Sequence, residues 1–152
     1  MTILGTGNRR AERIFADYYS PLIQPYDTIL ITHNPAKNDL KPGSIVIWNY
    51  NIERVCAVEN DLMQIKDKTL FVNGKIPFED ESITAIMHTN NKIKISGKVA
   101  ESFKSIEDPV KIASDSIGIL FNGKPLSINI SNIMRVDEIA WPPERIKNLL
   151  KN

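Results

Sequence analysis

Few residues of this chain have the type and spacing to carry chemistry. Cys56 is the sole cysteine, so neither an internal disulfide nor a cysteine-based zinc site can be built from it. The two histidines, His33 and His88, stand far apart and read as surface or loop residues, not as a ligand pair. Glu79-Asp80-Glu81 places three acids after Phe78; such a run can meet a cation, but a solvated turn fits it better. Gly5-Thr6-Gly7 beside Arg9, Arg10 and Arg13 lacks the preceding strand and the lysine of a phosphate loop. It reads as a solvated basic face, able to meet an acidic partner through modest electrostatics. Trp48, Tyr50, Phe71 and Trp141 alternate within strands or end them, which points to core and sheet packing before a stacking platform. None of these patterns implies a cofactor or a metal.

The bulk numbers narrow the field further. At 152 residues, 42% hydrophobic and 24% charged, the chain suits one globular domain with a buried core. Its 19 basic and 18 acidic residues leave a formal charge of +1. Nucleic-acid binding by charge is thereby disfavoured, because that mode needs a clustered surplus of Lys and Arg. No stretch reaches the roughly 18 apolar residues of a membrane-spanning helix. The segment Met1 to Arg13 has no apolar core of a secretory signal. The expected setting is the cytoplasm or a soluble particle, without a membrane span.

The elements that would position any site are strands. Ala11 to Tyr19 is the first helix candidate, or an amphipathic lead-in, stopped by Pro21 and Pro25. Thr28 to Thr32 is a short β-branched run closed by His33-Asn34-Pro35. Lys41-Pro42-Gly43-Ser44 turns the chain into a strand at Ile45 to Tyr50, and Ile52 to Val58 makes the next. Leu62 to Ile65 and Thr69 to Val72 read as a hairpin, with the strong turn signal Asn73-Gly74 directly after it. Strand-like runs follow at Ile83 to His88 and Lys92 to Ser96, while Lys98 to Ile106 is ambiguous. Ile117 to Phe121, Asn122-Gly123 and Leu126 to Ile130 form another hairpin, and Arg135 to Ala140 is the last strand. Pro143 to Leu150 then suits a short C-terminal helix with proline at its start. Many short strands between regular turns predict a mostly β, antiparallel fold that is closed or nearly so. The expected organisation is a lead-in over residues 1–17, which could bind a partner, and a β domain over 18–152.

Read in order, several segments resemble those of the type I signal peptidases, which are serine–lysine peptidases. Pro21-Leu22-Ile23 followed by Asp27-Thr28-Ile29-Leu30-Ile31 is similar to the family's nucleophile motif and the Gly-Asp strand after it. Lys41-Pro42-Gly43-Ser44-Ile45-Val46-Ile47 resembles its Lys-Arg-Gly-Asp-Ile-Val-Val segment, and Ile52-Glu53-Arg54-Val55 with Asn60-Asp61 the segment that carries the catalytic lysine. Leu70-Phe71-Val72-Asn73-Gly74-Lys75 is close to the Leu-Tyr-Val-Asn-Gly-Lys hairpin. Asp115-Ser116 resembles the Asp-Ser box, and Trp141-Pro142-Pro143-Glu144-Arg145-Ile146 the Trp-Pro-Pro-x-Arg-Ile ending. The resemblance therefore marks Pro21, Asp27, Arg54, Asn73, Gly74, Asp115, Ser116, Trp141, Pro142 and Arg145 as structural motif positions.

What the resemblance implies about catalysis is its loss. The family uses a serine hydroxyl as nucleophile and a lysine, kept neutral by burial, as its base. Counting from Pro21 and from Arg54, those positions fall on Tyr18 and Glu53. A phenol with a pKa of about 10 is a poor nucleophile toward an amide. Ser20 is the nearest alternative hydroxyl, but Pro21 fixes its path. Ile117 and Gly118 follow the Asp-Ser box where the family usually has an arginine and a later glycine. The resemblance implies a signal-peptidase-like β fold without catalytic residues, with a Tyr18 hydroxyl donating to Glu53 in the old cleft. The functional classes that follow are a structural or assembly component with protein partners, such as a pilus-assembly accessory factor or a virion protein; a divergent soluble serine endopeptidase using Ser20; and a peptide-binding module that keeps the groove.

Overall fold

The run Thr28-Ile29-Leu30-Ile31-Thr32 is rich in β-branched residues, and in the computed structural model it is a strand of alternating burial whose Ile29 and Ile31 are completely buried. The structure describes residues 9–16, 22–66, 69–77, 85–87, 93–95, 106–121 and 124–151. The strands are β1 (Arg9–Arg13), β2 (Thr28–His33), β3 (Ile45–Trp48), β4 (Asn51–Arg54), β5 (Ala57–Val58), β6 (Leu62–Lys66) and β7 (Thr69–Val72). They continue with β8 (Ala85–Met87), β9 (Ile93–Ile95), β10 (Ile106–Lys111), β11 (Ser116–Phe121), β12 (Lys124–Asn129), β13 (Ile133–Trp141) and β14 (Lys147–Asn148). The fold is mostly β and its sheets are antiparallel, as the turn spacing predicts.

The main sheet runs β1-β2-β13-β3-β4, with β14 added to β13 where β3 ends. Two smaller sheets, β10-β6-β7 and β12-β11-β5, and the β8-β9 hairpin complete the described strands. The hairpin from β3 to β4 turns on Asn49 and Tyr50, both at positive φ, the two-residue geometry that matches strand twist. Asn73 and Gly74 also take positive φ, and Val72 and Lys75 exchange backbone bonds across them.

Apolar clusters cover one face of the main sheet and the β3–β4 side of the other. One carries Ile29, Ile31, Ile45, Ile52 and Val136, packed with Ile14, Ile23 and Leu149. The other carries Val46, Val55 and Ile133, packed against Ile117, Ile119 and Ile128 of β11 and β12. A third apolar cluster joins Met63, Ile65, Leu70, Ile112 and Leu120 under β5 and β6. Gly118 sits at that junction: a Cβ there would lie 2.7 Å from Ile112 Cδ1 and 3.0 Å from Ala57 Cβ, and closer still to Met63 Sδ. No helix among the described residues is long and apolar enough to cross a membrane.

Three expectations change. The candidate helix or lead-in Ala11 to Tyr19 starts instead within strand β1, Arg9–Arg13, paired with β2 from Arg9↔Thr32 to Arg13↔Thr28, and its residues 17–19 lie outside the described residues. A helix this short is marginal alone, and a ladder on an existing strand supersedes it. The run Ile52 to Val58 splits: β4 stays in the main sheet while β5 crosses to β11, where Cys56 N–H donates to Gly118 O at 2.8 Å. The short C-terminal helix is one 3₁₀ turn, Pro143–Arg145, after which the chain rejoins the sheet as β14 and does not continue helically to Leu150. Leu149 N–H then donates to Asp137 O at 2.9 Å, so burial of Leu149 holds the tail. Lys98 to Ser105 and the turns at 67–68 and 122–123 lie outside the described residues.

Candidate functional site

Glu53 is the residue around which a site can be built. It lies in β4 directly opposite Val46, and Val55 follows two residues on along the same face. Val46 and Val55 both belong to the apolar cluster under β11 and β12. The carboxyl is therefore set among hydrocarbon, with only 2% of the residue exposed. Among the described residues, Glu53 Oε1 has no hydrogen-bond partner. Burial disfavours the ionised form and pushes its pKa up to about 8. At neutral pH the group is mainly a protonated acid, which donates a proton and does not take one.

Its neighbours are equally closed. Arg54, the next residue, points to the other face opposite Ile45 and is 5% exposed. Cys56 is buried, its thiol 3.6 Å from Arg54 O. Burial above all, opposed by the charge of Arg54 and aided by that of Glu53, pushes the thiol up to about 12. Cys56 is thus no nucleophile at physiological pH. Tyr18, Ser20 and Pro21, and with them the expected contact from Tyr18 to Glu53, lie outside the described residues.

Asp27, Asn73, Asp115, Ser116 and Arg145 are held by hydrogen bonds. Asp27, 1% exposed, receives a forked pair of bonds from Arg145, Nε to Oδ1 at 2.7 Å and a terminal nitrogen to Oδ2 at 2.8 Å. Arg145 also donates to Leu22 O, and Gln24 N–H donates to Asp27. Burial opposes ionisation of Asp27, but the Arg145 bond, the Gln24 amide and the Arg145 charge together hold it below the ordinary carboxylate range. Asn73 accepts from Leu62 N–H and donates to Asp61, each at 2.9 Å, and Asp61 in turn accepts from Val58 N–H. Asp115, at positive φ, donates its backbone N–H to Glu59 at 2.7 Å, and Lys37 bridges both acids. Ser116 is buried and its hydroxyl donates to Ser114 O at 3.1 Å. The Trp141–Pro142 peptide is cis.

Tyr50 and Trp141 are not packed as the strand pattern suggested: they are 88% and 53% exposed, while Trp48 meets Phe121 edge to face. Trp141 stands opposite Thr28, which also faces Arg13. At this end of the main sheet Arg13 lies over the exposed rings of Phe15 and Tyr26. Phe15, Tyr26, Trp141 and Ile146 are all exposed large apolar residues.

A second polar group escapes sequence reasoning. Asp137, 2% exposed, accepts from Thr32 Oγ1 and from Arg135 Nε, both at 2.6 Å, and Arg9 Nε lies 3.2 Å away. An aspartate after Val136 in a strand reads as an outward polar position. A register shift between Val136 and Glu138 makes the difference.

No protein-family model matches the chain, and no curated protein is significantly similar to it.

Proposed function

We propose that this chain is a signal-peptidase-like protein that no longer cleaves peptides and serves as a structural or assembly component of a larger protein complex, in the cytoplasm or in a soluble particle. The observation that carries the reading is Glu53. At the position where the resemblance puts a neutral lysine base, the chain has a buried carboxyl, protonated at neutral pH and without a partner on Oε1 among the described residues. A protonated acid cannot accept the proton of an attacking hydroxyl. The exposed Phe15, Tyr26, Trp141 and Ile146 supply the apolar surface that a permanent partner would cover.

The test has two arms. A serine-directed acylating probe and an extended-peptide library, assayed from pH 6 to pH 7, where Glu53 is mainly protonated, are expected to give neither labelling nor cleavage. Labelling at Ser20 would restore the peptidase reading. Isolated gently from its native source, the chain is expected to migrate within a stable complex, and a free monomer there would sink the assembly role.

A second reading has a specific support. The hydrogen-bonding pattern of the hairpin turns the backbone groups of Ile52 away from β3, at the outer edge of the main sheet. An extended peptide could add there as a strand, with the Glu53 segment beside it, by displacing β8, which lies against β4. Amide-exchange protection at Ile52 on adding a bound peptide would favour this reading.

A further inference from the structure

The opposite edge of the main sheet is β1, and its ladder has a definite parity. Ile14 N–H donates to Asp27 O at 2.8 Å, so in the register that pairs Arg13 with Thr28, the residues bonding inward to β2 are Arg10, Glu12 and Ile14. The backbone N–H and C=O groups of Arg9, Ala11 and Arg13 consequently point outward. Among the described residues nothing pairs with this edge, because β1 ends the sheet order. Such an edge is a template for another strand.

We propose that the strand it takes is β1 of a second copy of this chain, antiparallel about a twofold axis at Ala11. A twofold axis normal to the sheet can pass a bonded or a non-bonded pair of the new ladder, but only an axis at Ala11 overlays the whole of β1 on itself. Ala11 then bonds the partner's Ala11, Arg9 the partner's Arg13, and Arg13 the partner's Arg9, each pair exchanging two backbone bonds. In the intervening non-bonded pairs Arg10 stands opposite the partner's Glu12, and Glu12 opposite the partner's Arg10. These pairs have the closest side chains of an antiparallel ladder, where opposite charges stabilise and like charges repel. Within one chain Arg10 Nε already lies 2.9 Å from Glu12 Oε1 with both side chains exposed, so the charges are on the correct face and free to exchange partners.

The one adverse pairing, Arg9 against the partner's Arg13, is relieved inside each copy. Arg9 is held by buried Asp137 at 3.2 Å, and Arg13 lies 6.0 and 5.8 Å from the ring centres of Phe15 and Tyr26. Ala11 at the axis is exposed and small, so the two backbones can reach ladder spacing. The contact joins two main sheets into one continuous sheet. It is independent of whether the chain cleaves peptides, so its failure would leave the reading of Glu53 untouched.

Sedimentation equilibrium of the whole chain, from low micromolar to near-millimolar concentration, is expected to show a monomer passing to a dimer. Ala11→Pro removes an outward N–H while sparing the inward ladder, and is expected to abolish the dimer with the monomer's circular dichroism unchanged. Arg10→Glu places two acids opposite each other and is expected to weaken the dimer by about tenfold. Adding Glu12→Arg to that variant reverses both charges and is expected to restore it. A monomer at every concentration, or a dimer that Ala11→Pro and Arg10→Glu both leave intact, overturns the proposal.

Discussion

Arg145 closes on Asp27 across 118 residues of chain, gripping both carboxylate oxygens with its guanidinium fork. This contact ties the segment leading into β2 to the turn after β13, at the end of the sheet where Trp141 is exposed. Removing the arginine leaves a buried, uncompensated carboxylate. Arg145→Ala is expected to destabilise by about 3 kcal/mol in chemical denaturation. Asp27→Asn, which keeps the shape, is expected to cost less. The double variant should fall well short of the sum of the two, since both changes remove one shared contact.

The same pair sets the acid limit of the fold. Asp27 is held below its ordinary value, so the unfolded chain binds the proton first as pH falls. The pair's contribution is complete above the ordinary aspartate pKa of about 3.9 and is lost as pH drops through the lower folded value. Stability measured from pH 6 to pH 2 should fall steeply below that point. Asp27→Asn should flatten the fall.

Glu53 acts in the opposite direction. Its folded pKa of about 8 lies above the ordinary glutamate value, so the folded chain holds the proton longer than the unfolded chain. Stability from this group is greatest in acid and declines as pH rises from about 4.3 to about 8. Glu53→Gln keeps the size and removes the titration. It is expected to raise stability at pH 8 by about 2–4 kcal/mol and to abolish this part of the pH slope. An unchanged slope would show that the carboxyl is ionised and satisfied in the fold.

Gly118→Ala tests the junction of β5, β6 and β11. The added methyl would press on Ala57, Ile112 and Met63, three buried residues from three segments. The tips of Met63 and Ile112 can shift, but Ala57 cannot. A loss of about 1–3 kcal/mol is expected by thermal or chemical denaturation.

Asn73→Ala removes the bonds to Leu62 and Asp61 and places alanine at a φ of +52°. Together these should cost about 1–2 kcal/mol. Asn73→Gly, which relieves the backbone term alone, should recover part of the loss.

The sequence by itself determined what is local. β-branched runs bounded by turn residues made Thr28 to Thr32 and Ile45 to Trp48 strands, and Asn73-Gly74 marked its turn because those residues tolerate positive φ. Local signals failed where a distant partner decided the outcome. Arg9–Arg13 became a strand because β2 offered a ladder, and the run from Ile52 to Val58 was divided because β11 took its second half. The candidate site shows the same division. Position could nominate Glu53, but its closed setting depends on Val46 across the hairpin and on β11 and β12 beneath. Asp137 gave no signal, since beyond its sequence neighbour Arg135 its partners Thr32 and Arg9 arrive from strands more than a hundred residues earlier in the chain. Turn chemistry and strand periodicity are properties of neighbours in sequence. Desolvation and charge pairing depend on neighbours in space, and only the folded sheet order supplies those.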